Sequence, residues 1–255
     1  MKSHPLIMQP HSVRAMLAGI KTETRRIPTP RNCTFDGGAW PKELVKDGAW
    51  KERLYWKDAY TDTEAGGSLC IESFDDGITH ELSPRIQPGD EIYVKEAVQS
   101  AAEMNVCHEA DDYWIYKATD PDWEGASEGW KWRSPLFMPR EAARIVRPVL
   151  SVGFEWLHDI TGEGAIAEGV SPLFSDEEMQ RHNLKDVSYK NYLWHGNFNN
   201  GEGNKQSEKW DWQYSDYKEA RLSFSSLWES INAKRGYGWD TNPIVLVIKF
   251  GKENV

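Results

Sequence analysis

The patterning of the chain predicts an α+β fold, a small mixed β-barrel with short flanking helices and long insertions. Three observations carry that expectation. Short apolar strands and short helices interleave without the regular βαβ alternation of a doubly wound sheet. Ile244 to Phe250 is a nearly continuous apolar run of strand length, as a buried closing strand requires. No internal repeat is present.

In chain order, Leu6 to Gln9 reads as the first strand. Ser12 is placed to cap a helix in which Val13, Met16 and Leu17 share a face, and Gly19 ends it. Residues 31–84 lose periodicity and carry Gly37-Gly38, Gly66-Gly67 and Pro84; an insertion with a small hairpin is expected there. Gln87-Pro88-Gly89-Asp90 is a turn into a strand over 91–98. A second insertion, about 99–135, contains a strand from Tyr113 to Ala118 and a loop from Asp120 to Gly129. Ala142 to Val152 forms a long strand in which Pro148 marks an edge or a bulge. Thr161 to Glu168 is a short helix ended by Gly169. A third, polar insertion at about 171–215 includes Asn199-Asn200-Gly201-Glu202-Gly203-Asn204 and is expected to be flexible. Tyr217, Ala220, Phe224, Leu227, Trp228 and Ile231 then recur at helical spacing, and Gly236 and Gly238 end that helix. A single domain over 1–255 with three insertions is the expected organisation.

Composition narrows the function classes. With 30 basic against 40 acidic side chains the net charge is −10. A protein that coats nucleic acid nonspecifically needs a basic surface, so that class is disfavoured, while a local basic pocket is allowed. No apolar run approaches a membrane span, and Met1-Lys2-Ser3-His4-Pro5 opens no apolar signal region; a cytoplasmic protein without a membrane partner is expected. Cys33, Cys70 and Cys107 are widely spaced and form no Cys-x-x-Cys pair, which argues against a disulfide framework and a zinc finger. The histidines show no His-x-x-x-His pair, and Cys107-His108-Glu109 are too close in sequence to chelate one ion well, so no metal is expected. No Gly-rich phosphate loop, dinucleotide fingerprint or Gly-x-Ser-x-Gly elbow appears, and no cofactor is expected.

The densest chemistry lies in Gly19-Ile20-Lys21-Thr22-Glu23-Thr24-Arg25-Arg26. Arginine forks suit phosphate, and a lysine beside threonine can activate a hydroxyl. The same octet is also compatible with a solvated basic turn. Strand alternation adds one candidate: if Ile92 and Val94 point inward, so does Glu96. A carboxylate there needs a cation or hydrogen-bond donors. Two roles fit it, a ligand-facing group at the barrel mouth or a structural salt bridge to an arginine such as Arg140 or Arg144.

Several segments, taken in order, resemble one family. Ile7-Met8-Gln9-Pro10 with Lys21-Thr22-x-Thr24-Arg25-Arg26 resembles the opening of the ASCH-domain family, a branch of the PUA-like barrels. Gly89-Asp90-Glu91-Ile92-Tyr93-Val94-Lys95-Glu96 resembles its Gly-Asp strand. Met138-Pro139-Arg140-Glu141-Ala142-Ala143-Arg144-Ile145 is similar to a segment of the longer phage- and prophage-encoded members. So are Asp159-Ile160-Thr161 through Ala167-Glu168-Gly169-Val170, and Leu227-Trp228-x-Ser230-Ile231-Asn232-x-Lys234-Arg235 running into Asn242-Pro243-Ile244. The resemblance implies a PUA-like barrel, and host cytoplasm as the location if the chain is phage-encoded.

A small bacterial member of that family is an amidohydrolase that removes the acetyl group from N4-acetylcytidine. Carried over on the motif, its catalytic lysine and threonine fall on Lys21 and Thr24, and its glutamate falls on Glu168. Arg25, Arg26, Glu96 and Arg140 are the expected substrate contacts. Thr24 would supply the oxygen nucleophile, a partly neutral Lys21 would take its proton, and Glu168 would orient the lysine. On spacing alone Glu168 is also compatible with a solvated helix-end carboxylate. Other relatives are regarded as RNA-binding modules. Two functions follow from the resemblance: a metal-independent amidohydrolase on N4-acylated cytidine or a related modified pyrimidine nucleoside or nucleotide, or a noncatalytic RNA-binding module. The acidic balance favours the small ligand.

Overall fold

The structure, a computed structural model, describes residues 1–37, 40, 54–57, 68–72, 79–100, 114–121, 131–173, 176–181, 187–193, 216–217 and 219–252. The Gly66-Gly67 pair, the Asn199–Asn204 run and Cys107-His108-Glu109 lie outside the described residues. The described chain is a mixed α+β structure with several sheets and few helices.

Five strands form the central sheet: β1 (Ser3–Ile7), β2 (Glu23–Arg26), β7 (Glu91–Lys95), β10 (Val146–Trp156) and β13 (Ile244–Phe250). Their order is β1-β7-β10-β13-β2, with β1 and β7 parallel and the other neighbours antiparallel. The sheet is open. Among the described residues no backbone ladder joins its edge strands β1 and β2, and the Arg26 guanidinium spans that seam by donating to the Ile7 carbonyl at 2.8 Å.

A second sheet holds β3 (Cys33–Phe35), β4 (Leu54–Lys57), β5 (Ser68–Glu72) and β6 (Thr79–Pro84) in the order β3-β6-β5-β4, all antiparallel. Residues 31–84 carry more pairing than the small hairpin expected there. Cys33, Leu69 and Leu82 face the core of the central sheet, and their alternation is broken up by polar connections too frequent for a periodicity window. Two short strands, β8 (Val98–Ser100) and β9 (Trp114–Tyr116), pair separately, as do β11 (Tyr189–Lys190) and β12 (Asp216–Tyr217). The helices are α1 (Pro10–Leu17), α2 (Gly162–Ala167), α3 (Asp176–Arg181) and α4 (Ala220–Asn232).

Several boundaries move for identifiable reasons. Helix α1 starts at Pro10, with Gln9 rather than Ser12 at the cap position; proline at the first helical position has no amide hydrogen to satisfy. The 91–98 strand ends at Lys95, and the chain resumes pairing at Val98 with a different partner. The strand expected from Ala142 begins at Val146, because residues 140–142 form a 3-10 turn. Pro148 sits on a central strand, not an edge, next to a register shift between Val149 and Ser151. The extra residue there, Leu150, is 54% exposed, so Val149 and Val152 both reach the same core although they are of opposite parity.

Two cores flank β13, which is buried on both faces. Ile244, Leu246, Ile248 and Phe250 join α1 and the second sheet in one cluster. Val245 and Val247 join Phe224 and Trp228 of α4 and Ala165 of α2 in the other. Strand β2 lies at the sheet edge beside this double-sided strand. Thr24 and Arg26 oppose Ile248 and Leu246, whereas Glu23 and Arg25 share the face of Val247.

Candidate functional site

The Lys21 loop is fixed by backbone bonds on three sides. Gly19 takes a left-handed φ of 69° as the chain leaves α1, a conformation that favours glycine. The Ile20 and Lys21 amides both donate to the Ala15 carbonyl, at 2.9 and 3.0 Å. The Thr22 amide donates to Ala167 at the end of α2, at 2.8 Å, and the Thr22 carbonyl accepts from Phe250 at 2.9 Å. Helix α2 is started by Thr161, whose hydroxyl accepts from the Gly164 amide at 3.0 Å. It ends at Glu168, followed by Gly169 at φ 98°. A Cβ on Gly169 would lie 2.9 Å from Ala15 Cβ and 3.3 Å from Lys21 Cβ, so glycine is what lets the helix end approach the loop.

That approach brings Lys21 onto Glu168. Lys21 Nζ lies 2.5 Å from Glu168 Oε2 and 2.6 Å from the Glu168 carbonyl. The two residues are 4% and 6% exposed. The other carboxylate oxygen, Oε1, accepts from the Arg25 backbone amide. Burial holds the Lys21 pKa below its ordinary value; the attraction of Glu168 opposes that shift, and Arg26 and Arg25 reinforce it. Two of the three ammonium hydrogens are engaged, which leaves one for another acceptor.

Lys21, Thr24, Arg25, Arg26 and Glu168 all line one cleft of about 200 Å³. Phe224, Leu227 and Trp228 of α4 form an apolar wall, and Asn232 and Arg235 lie just beyond them. Ligand clefts usually enclose about 300–1,000 Å³, so this one suits a single small ring or part of a larger ligand. Thr24 is itself 4% exposed. Two polar atoms of the lining, Arg26 Nε and His11 Nε2, are buried without a partner among the described residues. Burial, reinforced by Lys21, Lys190 and Arg14, lowers the His11 pKa to about 4, so its ring is neutral at neutral pH. Buried polar atoms are nearly always bonded, so these two are open hydrogen-bonding positions of the cleft.

Arg25 lines the cleft, and its guanidinium is engaged by carboxylates. Its guanidinium lies on the opposite strand face from Thr24 and is held by Glu155 at 2.5 Å and Glu23 at 2.6 Å. Burial works against its charge, but Glu168, Glu155 and Glu23 outweigh that and hold its pKa above the ordinary value. Its backbone amide, not its side chain, supports Glu168.

Glu96 and Arg140, the other two expected substrate contacts, are not among the residues that line the cleft. Glu96 points inward, as the alternation predicts, and is 2% exposed, but Arg144 holds both of its oxygens, at 2.9 and 3.0 Å. Arg144 in turn stacks over Tyr116, 3.9 Å from the ring centroid. Arg140 is exposed, pairs with Glu91 at 3.1 Å and lies over Tyr93. Both side chains are thus engaged in ion pairs outside the cleft lining. The sequence gives Glu96 its inward phase, but which of two arginines reaches it depends on the 3-10 turn at 140–142.

His11, Asn232 and Arg235 are cleft residues to which the sequence assigns no role. Asn232 and Arg235 lie within the Ile231-Asn232-x-Lys234-Arg235 segment that carries part of the resemblance; His11 has no sequence signal beyond its place in the first turn of α1. Among the described residues, no group of three or more His, Cys, Asp or Glu side chains could hold a metal ion, and no helix is long and apolar enough to cross a membrane. Compared with protein-family models, curated proteins and solved structures, the chain matches nothing in any of the three.

Proposed function

We propose that the chain is a PUA-like protein of ASCH type and acts as an amidohydrolase on N4-acylated cytidine or a closely related modified pyrimidine, with Lys21, Thr24 and Glu168 as its working groups. The observation that carries this reading is the buried Lys21–Glu168 pair in a cleft that Thr24 also lines. An exocyclic amide needs an oxygen nucleophile, a group that takes the nucleophile's proton and returns it to the leaving nitrogen, and donors for the oxyanion.

Thr24 Oγ attacks the acyl carbonyl while neutral Lys21 accepts the hydroxyl proton. The carbon–nitrogen bond then breaks, the ring amine takes the proton back from Lys21, and the acyl group stays on Thr24 as an ester. Water hydrolyses the ester, releasing carboxylate and regenerating Thr24. Burial shifts Lys21 toward the neutral form that the step needs, against the pull of Glu168. Glu168 acts as the positioning group for Nζ. Arg26 Nε, without a partner among the described residues, is a donor suited to an acyl or ring oxygen. Trp228 and Phe224 supply a wall against which a pyrimidine can pack.

The test is a panel of N4-acylated cytosines, cytidines and cytidine monophosphates, with the deacylated base followed by chromatography. Thr24→Ala and Lys21→Ala should each lower kcat/KM by at least about a hundredfold, the lower range for loss of a general base. Lys21→Arg should not rescue, because arginine is not deprotonated in proteins. No product from any member of the panel, with RNA binding that Lys21→Ala weakens, would replace this reading with the noncatalytic RNA-binding module.

A further inference from the structure

A second cavity, of about 360 Å³, lies on the other side of the β1–β2 seam. It is lined by Arg26, Arg31, Arg85 and Lys95, together with His4, and no Asp or Glu is among its lining residues. That is a notable local imbalance in a chain of net charge −10. Among the described residues none of these four cations forms an ion pair with a carboxylate. Arg85 Nε donates to the Pro30 and Cys33 carbonyls, each at 3.1 Å. Lys95 Nζ donates to the Leu136 carbonyl at 2.7 Å, and Arg26 Nη2 to that of Ile7. His4 is held by Asp90 at 3.0 Å. Arg31 is exposed at the cavity wall.

Ile7 and Arg26 line both this cavity and the Lys21 cleft, so the two adjoin at the seam. Arg26 stands in the partition with its Nε buried and without a partner among the described residues. Like charges gathered around one cavity repel one another, and an anion between them removes that repulsion. Arginine forks match the oxygens of phosphate in geometry as well as in charge.

We propose that this cavity is a phosphate site, and that the ligand of the adjoining cleft therefore carries a phosphate. The second clause rests on the pyrimidine reading of the cleft; the first does not. A pyrimidine ring against Trp228 with its sugar at the seam would place a phosphate among Arg26, Arg31, Arg85 and Lys95. The phosphate can come from a free nucleotide or from the backbone of a single strand, and the charge chemistry is the same for both.

The experiment uses the full chain and the Arg31→Gln/Lys95→Gln double variant, which leaves every assigned working group in place. Inorganic pyrophosphate is titrated by calorimetry at low and at physiological ionic strength. Wild type should bind it, more weakly at the higher salt, and the double variant should bind at least about tenfold more weakly, as expected on losing two charged contacts. Cytidine, cytidine monophosphate and a short oligocytidylate follow. The nucleotide should bind about tenfold tighter than cytidine to wild type, and the variant should lose that advantage. A tighter hold on the oligomer than on the nucleotide supports the site with a strand as the source; the reverse order supports it with a free nucleotide. Absent pyrophosphate binding, or binding that the double variant leaves unchanged, overturns the proposal. Deacylation is read in parallel. Failure across the panel with pyrophosphate binding intact removes the amidohydrolase reading alone. Turnover of nucleoside and nucleotide with equal kcat/KM, without pyrophosphate binding, removes the phosphate site alone.

Discussion

Lys21 and Glu168 are the residues on which the cleft is built, and their pairing sets opposing demands. A buried ammonium is stable only with a counter-charge, yet in the proposed reaction Lys21 must release its proton. Glu168 meets the first demand and burial meets the second, with the net shift of the Lys21 pKa downward from 10.5. Glu168→Gln keeps the shape and an acceptor for the Arg25 amide while removing the charge. It should destabilise the fold by about 3–5 kcal/mol, as breaking a buried pair does. The unpaired Lys21 then has its pKa depressed further, so the penalty is fully present below its folded pKa and fades as pH rises toward the unfolded value of 10.5. Urea denaturation at pH 7 and pH 9.5 checks this: the variant's deficit should be smaller at the higher pH. Adding Lys21→Met to the variant should restore part of the stability and no turnover. A deficit equal at both pH values would show that Lys21 does not titrate in the variant. Of this site, Lys21 and Thr24 are legible in the sequence because they lie three apart in one motif. Glu168 stands 147 residues from Lys21, and only the family resemblance connects it. The Arg25–Glu23–Glu155 cluster is not legible, since it depends on which face of β2 turns toward α2.

Helix α2 and the Lys21 loop form the element-scale unit of the site, joined by one backbone bond and one glycine. The helix was legible at both ends: Thr161 caps it by accepting from Gly164, and Gly169 supplies the left-handed exit. Its second consequence was not legible, because a positive φ signals a helix end but says nothing about what packs against it. Gly169→Ala adds strain at φ 98° and a Cβ within 2.9 Å of Ala15 Cβ. Both neighbours are main-chain-proximal atoms that cannot swing aside, so the helix end must move away from the loop. A loss of about 2–3 kcal/mol is expected, combining left-handed strain with overpacking. Because Glu168 precedes this residue, kcat of the proposed deacylation should fall along with Tm. Gly19→Ala provides the contrast. It has a similar φ of 69° with nothing within 4 Å, so it should lose stability from strain alone and leave kcat near wild type. Thermal melts and steady-state kinetics on the two variants separate the effects; equal kcat losses would show that the Gly169 approach does not hold Glu168 in place.

At the scale of the whole molecule, the question is whether the second sheet is an appendage or part of one folding unit. Its strands contribute Cys33, Leu69 and Leu82 to the same cluster as Leu246 and Ile248 of β13, and β13 shares its other face with α2 and α4. A core strand buried on both faces links the two clusters mechanically, because displacing one side exposes the other. The sequence reads the second sheet as an irregular insertion because no single window shows its period; only contact with the central sheet makes Leu69 and Leu82 core residues. Leu82 is fully buried, and Leu82→Ala should cost about 2–5 kcal/mol through lost transfer energy and a residual cavity. If the chain folds as one unit, that loss lowers the urea midpoint of the whole molecule. Tryptophan fluorescence and far-ultraviolet circular dichroism should then still report a single coincident transition. An early transition confined to part of the signal, with the main midpoint unchanged, would show that the second sheet unfolds alone. The activity readout decides the functional consequence. In one cooperative unit the variant loses turnover only as it unfolds, whereas an independent second sheet would let turnover outlast the early transition.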